Sequence, residues 1–296
     1  MKKKSLPILA CMFIFQVFFA KAQSTQRHYN GKIIDMHEHI ALSTAEQHSM
    51  SAERNNTVKD ILANISRDHL TKAAIITIAQ KGQLEQTRLR NDSVIHLSQL
   101  HSALIPICSI HPADGAEALA EMERVQRLGV KIIKLHPNYQ QFDVSSPEVA
   151  AVAKKAGELN MILLFDSYNP ADVNEDGKLI MLAVTHSDAR FIFAHMGLVN
   201  FPQFLTLVGL SKYPWYKKNI WFDLSAIAPI LGDSPFRDQL VWTIRKIGIE
   251  QFLFGSDFPL FDPQSTIKSI YKMKFTKKEE SRIFYTNACN LLQIHP

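Results

Sequence analysis

Lys32-Ile33-Ile34-Asp35-Met36-His37-Glu38-His39 joins a short apolar run to two histidines two residues apart. The β-branched start predicts a buried strand over Lys32–His37 that delivers polar side chains at its C-terminal end. Strict alternation would put Asp35, His37 and His39 on one side, with Met36 and Glu38 on the other. Two imidazoles on one side can grip a single divalent ion. Taken alone, such a pair is a weak signal, so the rest of the chain must supply the context.

Seven further strands are predicted downstream: Ala73–Ala79, Ala103–Ile110, Val130–His136, Met161–Asp166, Arg190–His195, Asn219–Leu224 and Gln251–Ser256. Their starts recur roughly every 30 residues, the length of a βα unit. Helical spacing fills the gaps. Thr57 to Leu70 places Val58, Ile61, Leu62, Ile65 and Leu70 on one stripe, and Ala113 to Leu128 stops at Gly129. Ser145-Ser146-Pro147-Glu148 opens a helix through Val149–Leu159, with proline in its first turn. Eight such units predict an α/β fold, a (β/α)8 TIM-like barrel forming one domain over 23–296. An open doubly wound sheet is the competing architecture, but the first βα turn lacks the glycine-rich phosphate loop.

A barrel concentrates function at the C-terminal ends of its strands. Those ends read His37 and His39, then Lys134 and His136 before Pro137. Asp166 closes strand 5, His195 closes Phe191-Ile192-Phe193-Ala194, and Asp257 follows Phe252-Leu253-Phe254-Gly255-Ser256. Alone, His195 reads as a packed core histidine and Asp257 as a helix cap or ion-pair partner. Together they put three histidines and an aspartate at one end of one barrel.

In this order the segments resemble the amidohydrolase superfamily, and within it the amidohydrolase-related branch that includes enzymes similar to aminocarboxymuconate-semialdehyde decarboxylase. The resemblance runs through Ile34–His39, Gly129–Pro137, Phe193–Gly197, Phe254–Pro259 and the closing Asn287-Ala288 before Leu291-Leu292. It implies a distorted barrel with one divalent metal ion, zinc or manganese, held by His37, His39 and Asp257. The branch's further ligand is a histidine ending strand 5, and here Asp166 stands in that place. Asp166 is therefore expected either to ligate through oxygen or to cap the following loop. Some superfamily members carboxylate a strand-4 lysine to bridge two metals; His136 favours the single-metal arrangement here.

The resemblance also implies a reaction. A metal-dependent hydrolase would cleave an amide, lactone or ester, with Asp257 moving the proton of water and His195 steadying the oxyanion. His111, Lys134, His136 and Tyr139 are expected to line the substrate pocket. Decarboxylation of a small carboxylic acid is the rival reaction, and a barrel that lost catalysis and acts as a secreted binding protein is the rival class. Loops 42–57, 138–144, 226–236 and 259–265 are expected to set specificity, the first and third as lids.

The N-terminus reads as an address. Lys2-Lys3-Lys4, an apolar Leu6–Ala20 and Ala20-Lys21-Ala22 form a signal peptide over 1–22, so the protein is expected to be exported to the periplasm or secreted. Cys11 sits in a poor lipoprotein context, because the apolar run continues past it. Four of the 33 Lys and Arg and none of the 28 Asp and Glu lie in that leader. The remainder is near neutral, which argues against a nucleic-acid partner. With 46% hydrophobic residues the chain can fill a large core. Cys108 and Cys289 lie in apolar segments and are expected as buried thiols. The expected partner is a small molecule, no stable membrane span remains after cleavage, and the pairing common among superfamily relatives admits a homodimer.

Overall fold

All eight expected strands form. In a computed structural model that describes residues 29–294, β1 is Ile34–His39, β2 Lys72–Ile76, β3 Leu104–Ser109 and β4 Ile132–Leu135. They continue as β5 Ile162–Asp166, β6 Arg190–Ala194, β7 Ile220–Asp223 and β8 Phe252–Leu253. The leader read over 1–22, with Cys11, lies outside the described residues. The strands are parallel and neighbour one another in sequence order from β1 to β8. Bonds from Met36 N to Phe254 O (3.0 Å) and from Asp257 N to His37 O (2.8 Å) join the last strand to the first, making a barrel.

The main outer helices are α1 Val58–Arg67, α2 Leu84–Leu100, α3 Ala116–Arg127, α4 Pro147–Glu158, α5 Glu175–Thr185, α6 Arg237–Ile247, α7 Pro263–Lys272 and α8 Asn287–Leu292. Local chemistry explains their starts. Thr57 caps α1 through a reciprocal box with Asp60, and Ser146 caps α4 directly before Pro147. No helix among the described residues is long and apolar enough to cross a membrane.

Two apolar zones result. Outside the sheet, Ala73, Ile75, Leu135, Leu163, Phe165, Phe193 and Phe222 pack beneath the helices. Inside it, Ile34, Met36, Ile76, Ile107, Ile132, Leu164 and Ile192 stack together with Leu291 and Leu292 of α8. Arg190 Nη1 donates to Leu291 O at 2.9 Å, and Lys131 Nζ donates to Leu292 O. Both donors precede or begin their strands, so α8 plugs the N-terminal end of the barrel and leaves the other end open. Cys108 and Cys289 are buried free thiols, as expected.

Strict alternation fails in β1. Asp35 pairs with Ala73 and Glu38 with Ile75, so three steps on β1 match two on β2. One extra residue is accommodated there as a bulge. Asp35 and Glu38 thus face outward together, Met36 points inward, and the extra residue lets His37 join His39 on the inner side. The expectation that Asp35 shares a side with both histidines is corrected: its carboxylate instead fastens the bulge. Asp35 Oδ1 accepts from His37 N (3.0 Å) and Ser256 N (2.9 Å).

Candidate metal and catalytic site

The open end gathers side chains from six strands. From β1, His37 Nε2 and His39 Nε2 lie 3.2 Å apart. Asp257, just past β8, brings Oδ1 to 3.6 Å from the first and 3.3 Å from the second. Gly255 makes this approach feasible, because a Cβ there would sit 3.0 Å from His37 Cβ. His37 Nδ1 meets Asp223 Oδ2 of β7 at 2.9 Å. With that proton fixed on Nδ1, the Nε2 lone pair is left facing His39 and Asp257.

Electrostatics match ligation. Burial, reinforced by the nearby Lys134 charge, lowers His37 to about 4 against the pull of Asp223, so the ring is neutral. Burial would raise Asp257, but His195, His39 and His37 outweigh it and keep the carboxylate ionised. Two imidazole nitrogens and a carboxylate oxygen converging within bonding reach of one point fit a divalent ion such as zinc or manganese. Lys134 Nζ lies 3.4 Å from His37 Nε2.

A second group forms the adjoining wall. Asp166 Oδ2 lies 3.1 Å from His195 Nε2 and 3.4 Å from His136 Nε2, while its Oδ1 accepts from Tyr168 N at 3.1 Å. Burial opposes charge on His195, yet Asp166, Asp257 and Asp223 together raise it to about 9, so it is an imidazolium at neutral pH. Burial lowers His136 to about 4 despite Asp166. Its Nδ1 accepts from Tyr139 N (3.3 Å), which directs Nε2–H toward Asp166. Burial penalises the Asp166 carboxylate, but His136 and His195 overcome this and hold it well below the usual range.

Backbone strain accompanies both groups. His195 (φ 63°) and Asp257 (φ 65°) are left-handed, and Met196, Gly197 and Leu198 continue that conformation. Each non-glycine residue held so costs of order 1–3 kcal/mol and persists only when its surroundings demand it. At His195 the demand is visible: its N–H donates to Asp223 Oδ1 at 3.1 Å, and Nδ1 meets Ser225 Oγ at 2.9 Å. Gly197 is required where it stands, because a Cβ would lie 2.9 Å from the Asp176 carboxylate.

A cavity of about 650 Å³ opens above these groups and is lined by His39, His136, Tyr139, Asp166, His195 and Asp257 among others. Two expected pocket residues lie elsewhere. His111 donates from Nε2 to Gln140 O (2.8 Å) while its Nδ1 caps the turn at Ala113 N, so its ring is spent on the loop and does not line the cavity. Lys134 is wholly buried below the floor, at His37, because a residue two positions before the strand-ending His136 sits one layer deeper. Asp166 reaches the cavity but groups with His195 and His136, outside the trio of His37, His39 and Asp257. Sequence reasoning passed over Asp223 and Ser225. The signal was present, since Asp223 ends β7 as Asp166 ends β5.

A family model described as Amidohydrolase matches residues 34–294. Similar solved structures include 2,6-dihydroxybenzoate decarboxylase from Rhizobium, 15% identical with a TM-score of 0.68 over 89% of this chain and 99% of that one. A provisionally assigned 2-pyrone-4,6-dicarboxylic acid hydrolase from Pseudomonas putida is 16% identical, with a TM-score of 0.68 over 89% and 98%. Dihydroxybenzoic acid decarboxylase from Polaromonas, with bound manganese and the inhibitor 2-nitroresorcinol, is 14% identical, with a TM-score of 0.67 over 89% and 97%. At these identities the likeness is one of fold. No curated protein matches the chain.

Proposed function

The chain belongs to the amidohydrolase family, and on that premise we propose that it is an exported, metal-dependent hydrolase of an amide, lactone or ester in a small molecule. One observation carries the reading: at one end of the barrel the nitrogens of His37 and His39 and a carboxylate oxygen of Asp257 converge, and His195, paired with Asp166, stands on the same cavity wall. Hydrolysis needs a base for water and a positive charge for the developing oxyanion. When bound by His37, His39 and Asp257, a divalent ion supplies Lewis acidity and eases deprotonation of water.

The residues then have separate tasks. Asp257 accepts a proton from the attacking water and returns it to the leaving nitrogen or oxygen. His195, its Nε2–H held by Asp166, offers the positive charge of its ring to the carbonyl oxygen as negative charge grows there. Asp166 keeps His195 charged, and Asp223 holds His37 and the His195 backbone in register. Asp166 serves this reading as the partner of an imidazolium, which is the role its contacts support.

Decarboxylation is the second reading, supported by the solved decarboxylases that share the fold. Residues 23–296 loaded with zinc or manganese would be offered amides, lactones, esters and aromatic acids, with products identified by mass spectrometry. Hydrolysis abolished in Asp257→Asn supports the proposal; carbon dioxide release without hydrolysis overturns it. Export rests on the leader pattern, and N-terminal sequencing of secreted protein should begin at Gln23.

A further inference from the structure

The outer half of the cavity is walled by the β1–α1 loop on one side and by α2 on another. The loop is closed at its base by Ala41 N donating to Asn56 O at 2.8 Å, and its middle contributes Ala45, Glu46, Ser49 and Met50 to the lining. Loop and helix meet at one ion pair. Arg90 of α2 donates from Nε to Thr77 Oγ1 at 3.0 Å, which fixes the plane of the guanidinium. Its Nη1 and Nη2 then engage both oxygens of Glu46, the second at 3.2 Å. Glu46 Oε2 also accepts from Leu42 N at 2.9 Å, so this carboxylate is held from two directions.

Among the described residues lining this cavity Arg90 is the one lysine or arginine, and its Nη1 and Nη2 are already engaged by Glu46. Bidentate carboxylate recognition is the strongest use of a guanidinium, and here the chain supplies the carboxylate itself. The neighbouring outer lining, Gln80, Gln83, Gln86 and Asn138, offers neutral amides. A substrate carboxylate entering this region would find the guanidinium already paired and would have to displace Glu46 to reach it. An uncharged hydrogen-bonding group would meet donors and acceptors without displacing anything. Specificity of this kind, obtained by occupying the group that the wrong ligand would need, is a difference of affinities.

We propose that Glu46 is a specificity-determining residue: by occupying Arg90 it makes the outer cavity accept substrates with an uncharged amide or hydroxyl at the distal end and reject those with a carboxylate. This deepens the hydrolase reading and rests on it for the reaction, while the selection itself can be read from binding alone.

The zinc-loaded protein and Glu46→Gln would be compared on 4-acetoxybenzamide and 4-acetoxybenzoate by kcat/KM, and on the phenols 4-hydroxybenzamide and 4-hydroxybenzoate by Kd. The wild type is expected to favour the amide at least tenfold in both measures, and Glu46→Gln to narrow that ratio at least tenfold by freeing Arg90. A folded Glu46→Gln protein that keeps the wild-type ratio in Kd overturns the proposal. If Glu46→Gln does not fold, Arg90→Gln is read instead: it leaves the Glu46 charge unpaired and must widen the ratio, and an unchanged ratio overturns the proposal. Absent turnover with the Kd ratio behaving as stated defeats the hydrolase reading and supports the selection.

Discussion

The two ends of the barrel solve opposite problems with the same strands. At the N-terminal end, α8 presses Leu291 and Leu292 onto an apolar interior of Ile34, Ile132, Ile162 and Ile192. At the C-terminal end, His37, Asp166, His195, Asp223 and Asp257 are all buried, and two of them sit on left-handed backbone. Apolar burial is self-sufficient, whereas buried charge survives only when every group has a partner. The closed end should therefore be sensitive in stability, and the open end in chemistry.

The sharpest way to break this division is His37→Ala. It should abolish stoichiometric metal in mass-spectrometric analysis and lower activity by roughly 10³-fold or more, because the ion's electrostatic contribution is lost. Retained metal with unchanged turnover would refute the assignment of the open end. Leu291→Ala is the counterpart at the closed end. It should cost about 2–5 kcal/mol in a denaturant titration and leave kcat/KM per folded molecule near the wild-type value. A change in kinetics without loss of stability would show that the two ends are coupled.

Asp223→Asn sharpens the comparison, since this residue serves the site without facing the cavity. Losing its charge at His37 Nδ1 should weaken metal binding roughly 10–100-fold, measured by competition with a chromogenic chelator. Affinity equal to wild type would reduce Asp223 to a backbone anchor for His195 and Ser225. Asp166→Asn acts on the proton side. His195 is raised to about 9, so its imidazolium contribution is complete at low pH and disappears as pH rises through that value. Removing the carboxylate that contributes most to the rise should move the alkaline limb of kcat/KM downward by roughly 1–2 pH units. A limb that stays in place would sever His195 from that titration.

The smallest effect is expected in a charged pair that the chemistry does not use. Glu175 and Asp176, buried beneath the His195–Leu198 turn, are both raised to about 7, chiefly by loss of solvent. For acids raised on folding, the contribution to stability is whole below the ordinary carboxylate pKa and is lost as pH rises through about 7. Asp176→Asn should therefore gain on the wild type in Tm between pH 5 and pH 7.5, by a few degrees. A constant difference across that range would exclude the titration of Asp176.

Much of the fold was legible because it repeats. Each strand is a short apolar run with a helix after it, and the same inference made eight times is hard to get wrong. Boundaries were less readable: β8 was expected over Gln251–Ser256 and is a regular strand only at Phe252–Leu253, after which single bonds at Phe254 and Asp257 tie the chain to β1 as it delivers Asp257. Within the site, His37, His39, His195 and Asp257 were readable as polar residues closing buried strands. His111 met the same rule and still failed it, because the following Pro112 drew its ring into capping a turn. Asp223 was missed although the rule applied.

The sequence by itself determined the barrel, the end that carries chemistry, and most of the residues there, because strand periodicity and apolar patterning are local. Only the tertiary structure decided which of those residues meet. The β1 bulge placed Asp35 and Glu38 outward and let His37 turn inward beside His39, a change of one residue in register that no alternation pattern announces. Asp166, expected beside the metal trio, came to rest against His195 and His136, and Glu46 found Arg90 across 44 residues of chain. Side chains distant in sequence pair through the free energy of burying charge, and that depends on the final enclosure of the site.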